Sequence, residues 1–403
     1  MKKLYTISTL LIAFHANAQM VGTDAYMQGN FVEIGINGLG GYEGVDTFVS
    51  PAPAGMHFRS NTSYFGFVAN PQMDLWTNYD GDYYTPGTPE NGWGIEIYDT
   101  TATDTFNLEL ANNCSVPGAP DIPGYITGYS YTGGVIQVNW HGDYLMSGYD
   151  LDFDIEYTLG DSDLYYTTNV TIFNNGPANI EELYYYRNID PDNNLMLNST
   201  YVTVDSTLAQ ASPSSGIASV KAEQLTPWLS TFAFFANDTS ARVSRGGFSN
   251  RDASDIWNGT GGMIGTVGTT TNDEAVSIAF KQPNLLSFTR ASGTYQCQFS
   301  FQTAFAASAV NYLIGENEIT GVAEVMDKEI SMYPNPASDL LNIHAGKRIN
   351  RAVLYTNVGT IAASYSNVNS NSMQLDLSQV EKGIYFLVLE NESGKITRAV
   401  VKQ

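Results

Sequence analysis

Apolar and polar residues alternate with period two along four stretches between Val135 and Phe305, the pattern of strands packed on one face and wet on the other. Val135 to Trp140 sets Ile136, Val138 and Trp140 on one side. Asp150 to Tyr157 opposes Leu151, Phe153, Ile155 and Tyr157 to Asp150, Asp152, Asp154 and Glu156. Tyr166 to Phe173 opposes Tyr166, Val170 and Ile172 to Thr167, Asn169 and Thr171. Tyr295 to Phe305 turns Tyr295, Cys297, Phe299, Phe301 and Phe305 inward and leaves Gln296, Gln298 and Gln302 outside. Strands with one wet face belong to stacked antiparallel sheets. Leu164 to Arg187 reads as two strands joined through Asn174-Asn-Gly-Pro177. Past residue 330 the apolar runs shorten, as in Leu340-Leu-Asn-Ile343, Ala352-Val-Leu-Tyr355, Met373 to Leu377, Ile384 to Leu389 and Ile396 to Val401. Gly, Asn and Ser clusters punctuate them, which predicts a small immunoglobulin-like sandwich. The expected fold class is all-β, a large antiparallel β-sandwich followed by a small one.

Helical periodicity is scarce, and Gly, Asn, Thr, Ser and Tyr are abundant. The one glycine-rich stretch, Gly35 to Gly44, has neither a following helix nor a Gly-Lys-Ser/Thr, so it predicts a turn-rich loop and no phosphate cradle. At the N-terminus, Met1-Lys-Lys-Leu4 supplies positive charge, Leu10 to Phe14 a short apolar core, and Ala16-Asn-Ala18 a small-x-small cleavage site. Residues 1–18 therefore read as a Sec signal peptide, cleaved between Ala18 and Gln19. That run is too short to span a bilayer, and no later one approaches the length needed, so no transmembrane segment is expected in the mature chain.

Charge sharpens the domain reading. Residues 19 to 325 carry 34 acids against 8 bases, whereas residues 326 to 403 carry 7 acids and 8 bases. The expected domains are 19–314, a linker over 315–327, and 328–403. Nucleic acid is excluded as a partner of so acidic a chain, because binding it requires cationic neutralisation of phosphate.

The catalytic inventory is thin. There is no Gly-x-Ser-x-Gly elbow, no His-Glu-x-x-His and no cysteine pair of zinc spacing. Carboxylates are numerous, but sequence does not give the separation that glycosidic cleavage needs. Calcium is the best chemical candidate, since it takes hard oxygen donors. Asp190-Pro-Asp-Asn-Asn194 places Asp190, Asp192 and Asn194 on a proline-constrained loop. Asp150, Asp152 and Asp154 stack along one strand face and form a second candidate, against the alternative of a hydrated face. Neither spacing matches an EF-hand loop. Cys114 and Cys297 can form a disulfide in an oxidising compartment, or Cys297 can be a buried apolar filler.

Two resemblances add to this reading. Ile330 to Ile343 contains Tyr333-Pro334-Asn335-Pro336, and later come Lys382-Gly383-Ile384-Tyr385 and the basic tail Lys395 to Gln403. These residues resemble the type A C-terminal sorting domain of the type IX secretion system of Bacteroidota. The resemblance implies passage through the periplasm to the cell surface or beyond, with the translocon and a sortase as partners. It also implies release of the passenger or its attachment to anionic lipopolysaccharide. Within the passenger, the Asn174-Asn-Gly-Pro177 turn before the aromatic strand Tyr184-Tyr-Tyr-Arg187 resembles mutarotase-like β-supersandwich domains, which implies a role with sugars. Epimerases of that fold use paired histidines with a carboxylate, and the mature passenger has only His57 and His141. Three function classes stay open: a surface or secreted binding, adhesion or matrix protein with an extracellular glycan or matrix as partner, a carbohydrate-active or carbohydrate-binding supersandwich protein, and a structural surface-layer or gliding-associated component. The aromatic stretches Trp76 to Tyr84 and Tyr125 to Tyr131 suit the first, because tyrosine offers amphipathic contact at low entropy cost.

Overall fold

The computed structural model describes residues 17–57, 63–73, 76, 90–99, 106–114, 119–146, 148–193, 200–213, 215–224, 230–248, 250–287, 295–318, 331–356, 361–391 and 394–403. Residues 1–16 of the expected signal peptide, Asn194, residues 77–84 of the aromatic stretch and residues 319–327 of the expected linker lie outside the described residues. The chain divides into two compact units, Met1–Val310 and Asn311–Gln403.

The first unit is built on two large antiparallel sheets, with strands numbered along the chain. A nine-stranded sheet runs β19 (Gly268–Asn272), β14 (Thr203–Ala209), β15 (Ile217–Glu223), β16 (Thr231–Asn237), β21 (Gln296–Ala304), β12 (Tyr165–Asn174), β11 (Tyr149–Gly160), β10 (Val135–Met146), β9 (Gly124–Thr132). A six-stranded sheet runs β18 (Met263–Ile264), β17 (Ala241–Gly246), β20 (Ala275–Leu285), β13 (Ile180–Ile189), β7 (Asn91–Asp99), β8 (Phe106–Asn113). A four-stranded sheet of β1 (Asn17–Val21), β2 (Asp24–Gln28), β3 (Val32–Ile36) and β6 (Phe67–Ala69), and a pair formed by β4 (Val45–Asp46) and β5 (Tyr64–Phe65), complete it. β1 begins two residues before the expected mature terminus Gln19, and Ala18 pairs with Met27 of β2.

The alternation places the core as expected. Ile136, Val138, Trp140, Leu151, Phe153, Ile155, Tyr157, Tyr166, Val170 and Ile172 are all buried. They meet the six-stranded sheet through aromatic contacts: Trp93 of β7 lies 5.8 Å from Trp140 edge-on, and Phe280 of β20 lies 5.0 Å from Phe299. Such pairs add about 0.5–1.5 kcal/mol beyond area burial. Tyr295 departs from expectation. It precedes β21 and is exposed, because the ladder begins only at Gln296. The two strands joined through Asn174 to Pro177 belong to different sheets, so this turn carries the chain across the sandwich. Asn174 fixes it by donating to the carbonyls of Ala178 and Leu285.

The structure does not join the sulfurs of Cys114 and Cys297, the first of the two readings the sequence left open. Cys297 points into the core from the middle of the nine-stranded sheet, whereas Cys114 follows the edge strand β8 of the other sheet. Burial pushes the Cys297 thiol up to about 12, as befits an inert apolar filler.

The glycine-rich loop is the largest departure from a surface turn, since its carbonyls receive the polar tips of core side chains. Trp140 donates to Gly38, Trp93 and Asn112 to Gly40, and Tyr157 to Gly41. At Gly41, φ is +60° and a Cβ would lie 2.6 Å from the Trp140 ring, so only glycine fits.

In the second unit, β22 (Ser331–Tyr333), β23 (Leu340–Thr356), β25 (Gly383–Asn391) and β26 (Gly394–Lys402) form one curled sheet, and β24 (Ile361–Asp376) pairs with β23. Leu341, Ile343, Leu354, Leu375, Leu387 and Val400 fill its core. The first residues of the expected linker, Gly315 to Glu318, end a helix, α2 (Ala307–Glu318); a shorter helix, α1 (Ala253–Asn258), covers one face of the six-stranded sheet. Burial of Ala309, Val310 and Leu313 carries α2 through its polar last turn.

Candidate functional site

Asp190 follows β13, and its amide donates to the Glu90 carbonyl. Pro191 fixes φ, and the Asp192 amide turns back to the Asp190 carbonyl. Asn193 ties the loop to the nine-stranded sheet by donating from Nδ2 to the Ala222 carbonyl at 2.9 Å. Asp273 lies in the two-residue connection between β19 and β20. Each of Asp190, Asp192 and Asp273 brings a carboxylate oxygen within 4.8 Å of the other two, an arrangement that can hold a metal ion. Asp192 is 3% exposed, and its Oδ1 has no hydrogen-bond partner.

The electrostatics of this cluster are those of crowded acids. Burial, then the charges of Asp192, Asp273, Glu90 and Asp205, push Asp190 up to about 9. Burial and Asp273 push Asp192 up to about 7. Asp205, one of the charges acting on Asp190, is itself pushed up to about 8 by burial, although the Thr203 hydroxyl bonds both of its oxygens. Sequence spacing proposed Asp190 and Asp192, but Asp273 is more than 80 residues away and carries no local signal.

The second metal candidate, Asp150, Asp152 and Asp154, is not gathered into such a group, and the Asp190 cluster is the one group of three found among the described residues. On this strand face His141 stands between acids, with Nδ1 2.8 Å from Asp154 and Nε2 3.0 Å from Asp143. Burial pulls its pKa down, but those two acids raise it on balance above the ordinary histidine value. An imidazole thus takes the place expected for a cation.

The wet face of the nine-stranded sheet is more than hydrated surface. Register aligns Asn139 of β10, Glu156 of β11, Asn169 of β12 and Ser300 of β21 in one rung. Ser300 donates to Asn169 at 2.8 Å, Asn169 to Glu156 at 2.9 Å, and Gln137 to Glu156 at 2.7 Å. A groove of about 690 Å³ runs over this rung, lined also by Thr127, Asp154, Thr171, Asp238 and Gln298. Tyr125, exposed on the edge strand, packs edge-on against His141 at 5.8 Å.

The sorting-motif residues come together in the second unit. Asn335 accepts from the Val401 amide at 2.9 Å, and Ala337 exchanges backbone bonds with Val401 and Gln403. Tyr-Pro-Asn-Pro therefore holds the terminal strand in place. Gly383 opens β25 opposite Lys402, and Tyr385 is buried, with its hydroxyl on the Glu381 carbonyl. Tyr333 is exposed and bonds His344, Pro334 and Pro336 flank Asn335, and Lys382 is solvated.

Residues 331–403 match the family described as secretion system C-terminal sorting domain. The chain is a protein exported by type IX secretion, destined for the outer surface or the exterior. No curated protein matches it in sequence. Among solved structures, its passenger is similar to galactose mutarotase-like folds. A galactose mutarotase-like protein from Clostridium acetobutylicum shares 9% identity over 72% of this chain and 97% of that one, with a TM-score of 0.32. A putative aldose 1-epimerase from Klebsiella pneumoniae shares 10% identity over 74% and 83%, with a TM-score of 0.30. A bacterial glucoamylase complexed with acarbose shares 9% identity over 74% of this chain and 33% of that one, with a TM-score of 0.34. No helix among the described residues is long and apolar enough to cross a membrane.

Proposed function

We propose that the exported passenger is a cell-exterior binding protein that recognises a neutral glycan in the groove over the Asn139–Glu156–Asn169–Ser300 rung, with calcium as the ion of the Asp190 cluster. The observation that carries this reading is the connected rung itself. Four strands present amide, carboxylate and hydroxyl groups whose positions are fixed by one another and by the ladder. Such a row offers donors and acceptors already oriented for the vicinal hydroxyls of a sugar, and little ordering entropy is lost on binding. Tyr125 beside His141 supplies an amphipathic flank. A glycan array probed with the mature protein should give a defined set of neutral oligosaccharide hits. Asn169→Ala removes the middle of the rung and is expected to weaken them about tenfold, one good hydrogen-bond network member's worth. Unchanged binding by that variant would remove the groove from the account, and release of products from a bound glycan would replace binding with carbohydrate cleavage.

A further inference from the structure

We propose that Asp190, Asp192 and Asp273 form a structural calcium site that clamps the end of β13 to the β19–β20 crossover, which deepens the calcium reading just given. Ile189 pairs with Val276, so continuing the register brings Asp190 beside the start of β20, where Asp273 turns the chain from the nine-stranded into the six-stranded sheet. Asn193 binds the same loop to β15. One ion here would tie together three segments drawn from both sheets. The donor set is all oxygen and all anionic, which selects a hard divalent cation. Three oxygens within 4.8 Å of one another can share one coordination shell, and a set of protein carboxylates suits calcium, which accepts flexible oxygen geometry, better than magnesium, which keeps several of its waters. The Asp192 side chain is the decisive observation. A carboxylate 3% exposed with an oxygen lacking any partner is costly in a protein interior unless an ion or proton neutralises it.

This cost gives a test with a crossing signature. The mature full-length protein, freed of metal with a chelator, is titrated with calcium chloride by calorimetry, and its melting temperature is recorded in chelator and in calcium. The wild type is expected to bind one ion per chain and to melt about 5 °C or more higher when calcium is about a hundredfold above Kd. Asp192→Asn should bind none and show no shift, yet melt above the wild type in chelator, because an uncompensated buried charge has been removed. A merely structural carboxylate would give the opposite order in chelator. Asp273→Asn, in the crossover, repeats the test should the first variant not fold. Retained stoichiometry in both variants, or absence of calcium binding by the wild type, overturns the proposal. Glycan binding by Asp192→Asn is read separately and should persist, so the groove and the ion site fail or stand independently.

Discussion

Deleting Asp327 to Gln403 is expected to leave a folded passenger retained in the periplasm, absent from the cell surface and the medium. The chain divides into two compact units near residue 310, and the second has a core of its own, as expected of units that fold separately. A shorter cut should suffice. Removing Lys395 to Gln403 deletes nearly all of β26, which leaves the edge of β25 unpaired and takes away the amide that Asn335 binds. The lesson of the geometry is that the Tyr-Pro-Asn-Pro segment and the terminal strand, 60 residues apart, are one structural device. Neither motif should export the passenger without the other. By resemblance to the sorting family, a surface sortase is expected to remove this unit after export. Because α2 continues through Glu318, the new C-terminus of the mature passenger should fall beyond that residue and before Lys328. Fractionation with immunoblotting, and mass spectrometry of the surface form, check both points. Wild-type surface yield from either truncation would end the sorting account of these residues.

What the sequence made legible follows from the physics of period two. β10, β11 and β12 alternate cleanly because one face is dry and the other wet, and a one-residue slip would invert every side chain. Alternation says nothing about register between strands. Alternation put Glu156 and Asn169 on wet faces, and only pairing aligned them with Asn139 and Ser300 into a rung. The metal loop was half legible for a related reason. Asp190 and Asp192 are neighbours in sequence, whereas Asp273 arrives by the return of β20 along β13. The acidic strand left its counter-charge open, since a run of carboxylates does not name one, and here His141 from the adjacent strand bonds Asp154. The glycine-rich stretch was half legible. Its composition signals turns, but its lack of side chains also lets backbone approach Trp93 and Trp140 inside the sandwich.

That loop also carries Glu43 into the core, and the largest stability effect in the passenger is expected there. Glu43 is fully buried, paired with the buried Arg187 of β13, and accepts from the Tyr166 hydroxyl, while Asn91 donates to its carbonyl. Arg187 spends another donor on the Gly92 carbonyl at 3.0 Å. The first basic residue after a long stretch of acids is thus internal, where it neutralises one of them. Glu43→Gln keeps the shape but strands a guanidinium without counter-charge, which should cost about 3–5 kcal/mol. Replacing both, as Glu43→Gln with Arg187→Met, removes the stranded charge and is expected to cost less than the sum of the single changes. All five tryptophans lie before residue 311, so their fluorescence during urea unfolding follows the passenger alone. A Glu43→Gln passenger within about 1 kcal/mol of wild type, well below the range for a broken buried pair, would mean that water reaches Arg187 and that the plug loop opens far more readily than its hydrogen bonds to Trp93, Trp140 and Tyr157 imply.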